Sequence, residues 1–281
     1  MTVSIDLLST APSSTSFPDR VRRLELSNEL QDKILNQQIY SKTAGHLKTG
    51  YPLLTRKDEQ ELATEMLLYR YKFTETVYRS TLFRQAALTV IQNIYLFQNR
   101  KIFLKSSAAT PELERQEALL LFSCPVKAKG ELNLEKTFQH SILARIWNRI
   151  TSNQQDNYSN RQEFINLQTI VEELNTLRNI YMILCQGLVR KLVTHINSIY
   201  RQSISFDDAI QIGEFGIARA SYRYHIFSGV RFSTYASKWV FKEIQRQALG
   251  DVLLKFPQTL LSDTQKQLKK TVLTFKRSRK K

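Results

Sequence analysis

Apolar residues recur at helical spacing along most of this chain, and the clearest stripe is Leu167, Ile170, Val171, Leu174, Leu177 and Ile180 at i, i+3 and i+4 steps. That spacing predicts an amphipathic helix from Leu167, followed by helices over Ile183–Tyr200, Phe206–Tyr224 and Thr234–Leu249, joined by short turns. Earlier in the chain, Leu24, Leu26, Leu30, Ile34 and Ile39 predict a helix over Val21–Ser41, which Lys48–Pro52 breaks. Thr55 is placed to cap the next helix, with Asp58 completing a capping box and Glu59 and Glu61 favoured near the positive helix end. Leu62, Met66, Leu67, Tyr69 and Phe73 carry that pattern on, so one long helix or a pair is expected through about Phe97. A short helix is expected over Pro111–Leu121, opened by proline with Glu112 and Glu114 in its first turn. The Ser-, Thr- and Pro-containing residues 1–20 lack this periodicity and read as a tail. The Asn/Gln-rich stretch Ser152–Gln162 reads as a loop between helical pieces.

Composition agrees with the pattern: 8 glycines and 6 prolines in 281 residues, with 42% hydrophobic, predict an all-α protein with a substantial core, in one large domain or two small ones. A formal charge of +16 suits a polyanionic partner, either nucleic acid or an anionic membrane surface. Cys124 and Cys185 are far apart, and His46, His140, His195 and His225 are scattered, so neither a zinc site nor a disulfide framework is expected, and no metal or other cofactor. This usage predicts a reducing, cytoplasmic setting. No apolar run approaches the roughly 20 residues that span a bilayer, and the N-terminus makes a poor secretory signal. Its Ser/Thr-rich stretch Ser9–Ser16 leaves an organelle-targeting peptide, such as a plastid one, as the alternative. Lys266–Lys281 holds eight Lys or Arg and no acid, a block that is either solvated or neutralises phosphates.

Residues 205–249 carry the most chemistry. Ser205 and Asp208 form a capping box for a helix that contains Gly213 and Gly216, a pair that suggests close backbone approach, either to a neighbouring helix or at a docking face. After Gly229 the chain reads Arg231-Phe232-Ser233-Thr234-Tyr235-Ala236-Ser237-Lys238-Trp239-Val240, with Ser233 or Thr234 as N-cap. With Tyr235 set to zero, Arg246 falls at about 20°, Trp239 at about 40°, Lys242 at about 340° and Lys238 at about 300°. Val240, Ile244 and Phe241 fall opposite, at about 140°, 180° and 240°. The cation-aromatic side suits single-stranded DNA, which gains roughly 1–3 kcal/mol per base stacked on an aromatic while cations hold adjacent phosphates. The alternative is that Tyr235 and Trp239 pack against a neighbouring helix.

Asp208-Ala209-Ile210-Gln211-Ile212-Gly213-Glu214-Phe215-Gly216, then Gly229 and Arg231-Phe232-Ser233-Thr234-Tyr235-Ala236, resembles region 2 of the sigma-70 family of transcription initiation factors. Lys191-Leu192-Val193 and Tyr200 extend the likeness backwards, and Lys255-Phe256-Pro257 looks like the linker after region 2. Leu54-Thr55-Arg56-Lys57-Asp58-Glu59-Gln60-Glu61-Leu62-Ala63 is similar to the start of region 1.2, so the order also matches. Strong matching covers about a quarter of the chain. The resemblance implies a multi-helix region 2-like bundle over 176–250 and a tail and helix over 1–45. A region 1.2-like and intervening helical segment would span 46–175, and a linker-like segment with a basic tail 251–281.

It also implies two surfaces. Asp208, Gln211, Ile212, Glu214 and Ala218 would bind the clamp helices of the largest subunit of core RNA polymerase. Tyr235 and Trp239, with Phe232 and Tyr224 nearby, would wall the melted non-template strand of a minus-ten promoter element and hold a flipped base, with unstacking costing a few kcal/mol. Thr234 and Lys238 lie on the same stretch. Lys242 and Gln245 would read the upstream base pair, and Arg246 would hold phosphate. Ile212 and Glu214 depart from the family's acid and amide, and Lys238 replaces the first of two adjacent aromatics, which predicts a weaker strand-separating wedge. After Pro257 only 24 residues follow in this sequence, so recognition of a minus-thirty-five element by this chain is not expected, and a second polypeptide or an activator could supply it. The competing reading is a polymerase-binding regulator that never opens promoters. An enzyme has little support, since no P-loop, Gly-x-Ser-x-Gly or metal-ligand cluster occurs.

Overall fold

Ten α-helices account for nearly all of the structure, a computed structural model describing residues 15–43, 54–94, 101–105, 108, 110–123, 132–152, 162–200 and 204–255. Side chains are described for all of these except 39–43, 197–200 and 248–255. The helices are α1 Phe17–Arg23, α2 Asn28–Thr43, α3 Arg56–Arg79, α4 Thr81–Gln92, α5 Pro111–Ser123, α6 His140–Ser152, α7 Gln162–Leu184, α8 Gln186–Tyr200, α9 Phe206–Arg223 and α10 Phe232–Lys255. A 3₁₀ turn, Ile226–Ser228, lies between α9 and α10. Among the described residues the fold is all-α, with a single isolated β-bridge between Phe103 and Phe138.

The expected Val21–Ser41 helix is two helices. Glu65 of α3 accepts the Glu25 amide at 2.9 Å, and Glu61 accepts both the amide and the hydroxyl of Ser27, so tertiary bonds take the backbone groups a continuous helix would have used. Helix α1 begins at Phe17, inside the segment expected to be a tail, with Ser16 as its N-cap. The capping box of Thr55 and Asp58 forms as the spacing predicts, and a break at Ser80 turns the following stretch into the pair α3 and α4. Helix α5 starts at Pro111 as expected and runs on to Ser123. Helix α6, which the sequence reading does not single out, presents Ile142, Leu143, Ile146, Trp147 and Ile150 to the core.

Helices α7 to α10 form the central bundle, in which α9 packs along α10 and both lean on α8. Gly216 is why they approach so closely: a Cβ there would lie 2.7 Å from Cα and 2.9 Å from N of Val240. The glycine pair thus serves a helix contact within the fold. Helix α3 lies against α7, α1 and α2 cover another side of α7, and α4 to α6 pack together beyond α3. One hydrophobic core runs through all of them. The expected boundaries at 175/176 and 250/251 fall inside α7 and α10, which continue through both points, and the one at 45/46 lies outside the described residues. So does the basic block Lys266–Lys281.

Candidate nucleic-acid interface

The face of α10 is built from its first turn. The helix begins at Phe232, earlier than expected, so Ser233 and Thr234 sit within it and neither is the N-cap. The cap comes from 173 positions earlier in the chain: the Glu59 carboxylate, 3% exposed, accepts the Phe232 amide at 3.1 Å and takes the Arg231 guanidinium at 3.0 and 3.2 Å. A carboxylate at this helix start satisfies an orphan donor and complements the positive dipole end. Its hydrogen bond raises the Arg231 pKa.

Eleven positions further along α3, Arg70 does the converse for α9. It is 1% exposed, and its guanidinium donates to the carbonyls of Tyr224 at 3.1 Å and Ser221 at 3.3 Å, and to that of Tyr222. A cation there satisfies carbonyls at the negative end of α9. Burial lowers its pKa to about 10, so it remains charged at neutral pH. Two α3 residues therefore clamp both ends of the α9–α10 connection.

The wheel drawn from the sequence largely holds. Ala236, Val240 and Ile244 are buried, while Tyr235 and Trp239 are partly exposed and rest against the core. Their rings lie 6.3 Å apart. Cations flank Trp239, with Arg223 at 4.7 Å and Lys242 at 5.6 Å from its ring centroid, within cation–π range. Thr234, Lys238 and Lys242 are exposed and Gln245 partly so. Tyr235 and Trp239 thus pack against the core, as the helix-packing alternative expects, and part of each ring is left exposed.

Four residues are placed differently from the sequence reading. Phe232 is fully buried, 4.2 Å from the Tyr181 ring, and Tyr224 is 8% exposed with its hydroxyl donating to the Val230 carbonyl at 2.8 Å. Neither is on the exposed face: Tyr224 packs against Tyr235, and Phe232 packs against Tyr224. The Arg246 guanidinium is paired with Glu243, which is buried and also bound by Arg219 at 2.5 Å, so Arg246 is already neutralised in part. Phe241, assigned to the apolar side, is 36% exposed.

On α9, Asp208 and Gln211 are exposed, and Ile212, Glu214 and Ala218 are partly buried. The Ser205 hydroxyl accepts the Asp208 amide at 3.1 Å and donates to the Asp208 carboxylate at 2.6 Å. Glu214 turns toward a cleft between α1, α2, α7 and α8, and burial raises its pKa against the pull of Arg190. Between Asp208, Gln211 and Ala218 stands Phe215, 65% exposed. Its exposed apolar ring stands on a side of the helix that otherwise carries polar or small residues.

Among the described residues no group of three His, Cys, Asp or Glu side chains is arranged to hold a metal, and no helix is long and apolar enough to cross a membrane. Cys185 is buried, and burial pushes its thiol pKa up. Cys124 lies outside the described residues. No protein-family model matches the chain, and no curated protein matches it at a significant level.

Proposed function

We propose that this chain is a sigma-like initiation factor that binds core RNA polymerase through α9 and the non-template strand of a minus-ten type element through α10. The observation that carries this reading is the half-exposed Tyr235–Trp239 pair flanked by Arg223, Lys238 and Lys242, a surface with the two parts that single-strand binding requires. The Glu59 cap supports it further, because a face meant to hold bases is best built on a helix whose start is fixed. Helix α9 contributes a separate outward patch of Asp208, Gln211, Ala218 and Phe215, suited to a helical partner such as the clamp helices. On this reading the protein works where the polymerase and its DNA lie, in the cytoplasm or an organelle.

Core RNA polymerase from the source organism, used to capture the full chain, and a fluorescent single-stranded minus-ten oligonucleotide added to the complex at fixed salt, test both surfaces. Capture of both, with the oligonucleotide lost on Tyr235→Ala plus Trp239→Ala, is the expected result. Failure to capture polymerase would overturn the proposal. A second reading, a polymerase-binding regulator that opens no promoter, draws on Lys238 standing where the family has an aromatic and on Arg223 lying over Trp239. It predicts polymerase capture with no oligonucleotide retained.

A further inference from the structure

Beside Tyr235 lies a cavity of about 460 Å³ whose walls come from five separate parts of the chain. Arg70 of α3, Arg223 of α9, Lys101 and His225 all line it, and no carboxylate does so among the described residues. Helix α6 begins at its wall with His140 and Ser141, so the positive end of a 13-residue helix faces the same space. Arg70 is 1% exposed, and its Nε–H, like the buried Nδ1 of His225, has no hydrogen-bond partner among the described residues. A buried guanidinium with an unused donor is costly to maintain unless an acceptor completes it. Burial, and after it the neighbouring charges of Arg70 and Lys101, hold the His225 pKa down.

We infer that this cavity is a phosphoryl-binding site, formed where the 101–105 segment and the start of α6 close over the clamped α9–α10 connection. A tetrahedral phosphoryl anion matches what converges there: a guanidinium edge, two further cations, an imidazole and a helix N-terminus. Lys101, His140 and Ser141 lie outside the stretches that resemble the sigma-70 family, so the site is assembled by the intervening segment whose role the sequence leaves open. The phosphoryl group has two sources of the same chemistry, a backbone phosphate of a strand crossing Tyr235 or the phosphate of a free nucleotide. The cavity would accept either whether or not the chain engages a polymerase.

Inorganic pyrophosphate titrated into the full chain, with the His225 ring followed by NMR, tests this directly. Binding should raise the His225 pKa, because the anion offsets Arg70 and Lys101. Lys101→Glu and Arg223→Glu, both at exposed positions, should each weaken binding about tenfold or more, the loss expected for a charge-assisted contact. Lys57→Glu, an equal change of charge at a residue that does not line the cavity and stands about 20 Å along α3 from Arg70, should leave affinity unchanged. Arg70→Leu is a poorer test because it also uncaps α9. Competition against pyrophosphate by a ten-nucleotide single strand lacking a terminal phosphate would assign the site to strand backbone, and stronger competition by a 5′-mononucleotide to a free nucleotide. A His225 resonance that ignores pyrophosphate, or an equal loss in Lys57→Glu, would overturn the inference.

Discussion

At the scale of single residues, Gly213 and Gly216 look equivalent in the sequence and differ in the fold. A methyl at Gly216 meets the Val240 backbone, which cannot rotate away, whereas at Gly213 it meets Val189 Cγ1 at 2.7 Å, the tip of a side chain. Gly216→Ala should therefore lower stability by about 1–3 kcal/mol in urea unfolding despite the better helix propensity of alanine, and Gly213→Ala by less. For the face itself, Tyr235→Ala and Trp239→Ala should each weaken single-strand binding by about 1–3 kcal/mol in fluorescence anisotropy, with a smaller loss of stability than a fully buried ring would show. Phe232→Ala should instead cost about 3–5 kcal/mol of stability, because that ring is core. Nothing in the local spacing separates Phe232 from Tyr235. Phe232 sits at the first position of α10, where the direction of the entering chain decides which way a ring points.

At the scale of elements, helix periodicity was legible, and so were caps made by neighbours within four positions, whereas the α10 cap from Glu59 was not. Thr55, Pro111 and the stripe on α7 all act where their spacing places them. Helix α6 carries the same kind of signal in Ile142, Leu143, Ile146, Trp147 and Ile150, at helical spacing just before a polar stretch. The division of α1 from α2 was not legible, because Glu61 and Glu65 reach it from another helix. Packing of helices also creates a titration that no single helix would show. Glu173 of α7 is buried near Arg20 and Arg23 of α1 and Glu65 of α3, and burial outweighs the two arginines to bring its pKa up to about 7. Between its ordinary value of 4.5 and about 7, the folded protein binds the extra proton and the unfolded chain does not. Stability should thus fall as pH rises through that window, by on the order of 1–3 kcal/mol. Glu173→Gln should flatten this dependence in thermal unfolding followed from pH 5 to pH 8.

At the scale of the whole molecule, the +16 charge was plain from composition, but its distribution was not. Arg70, Arg219, Arg231 and Arg246 are committed to internal partners, while Lys238 and Lys242 stand exposed beside the aromatics. Single-strand affinity should accordingly fall linearly on a log–log salt plot, and Lys238→Ala and Lys242→Ala should each shallow the slope by about 0.7. The candidate face was readable as a set of residue types on one helix, whereas the cavity beside it was not, since Arg70, Lys101 and His140 converge only in three dimensions.

Glu59 and Arg70 stand about three turns apart on one side of α3, and each closes an end of the α9–α10 connection. The amide of Phe232 therefore depends on a helix from the other end of the chain. In hydrogen exchange it should be released together with the central amides of α3, as one cooperative unit, and not with the turn that adjoins it.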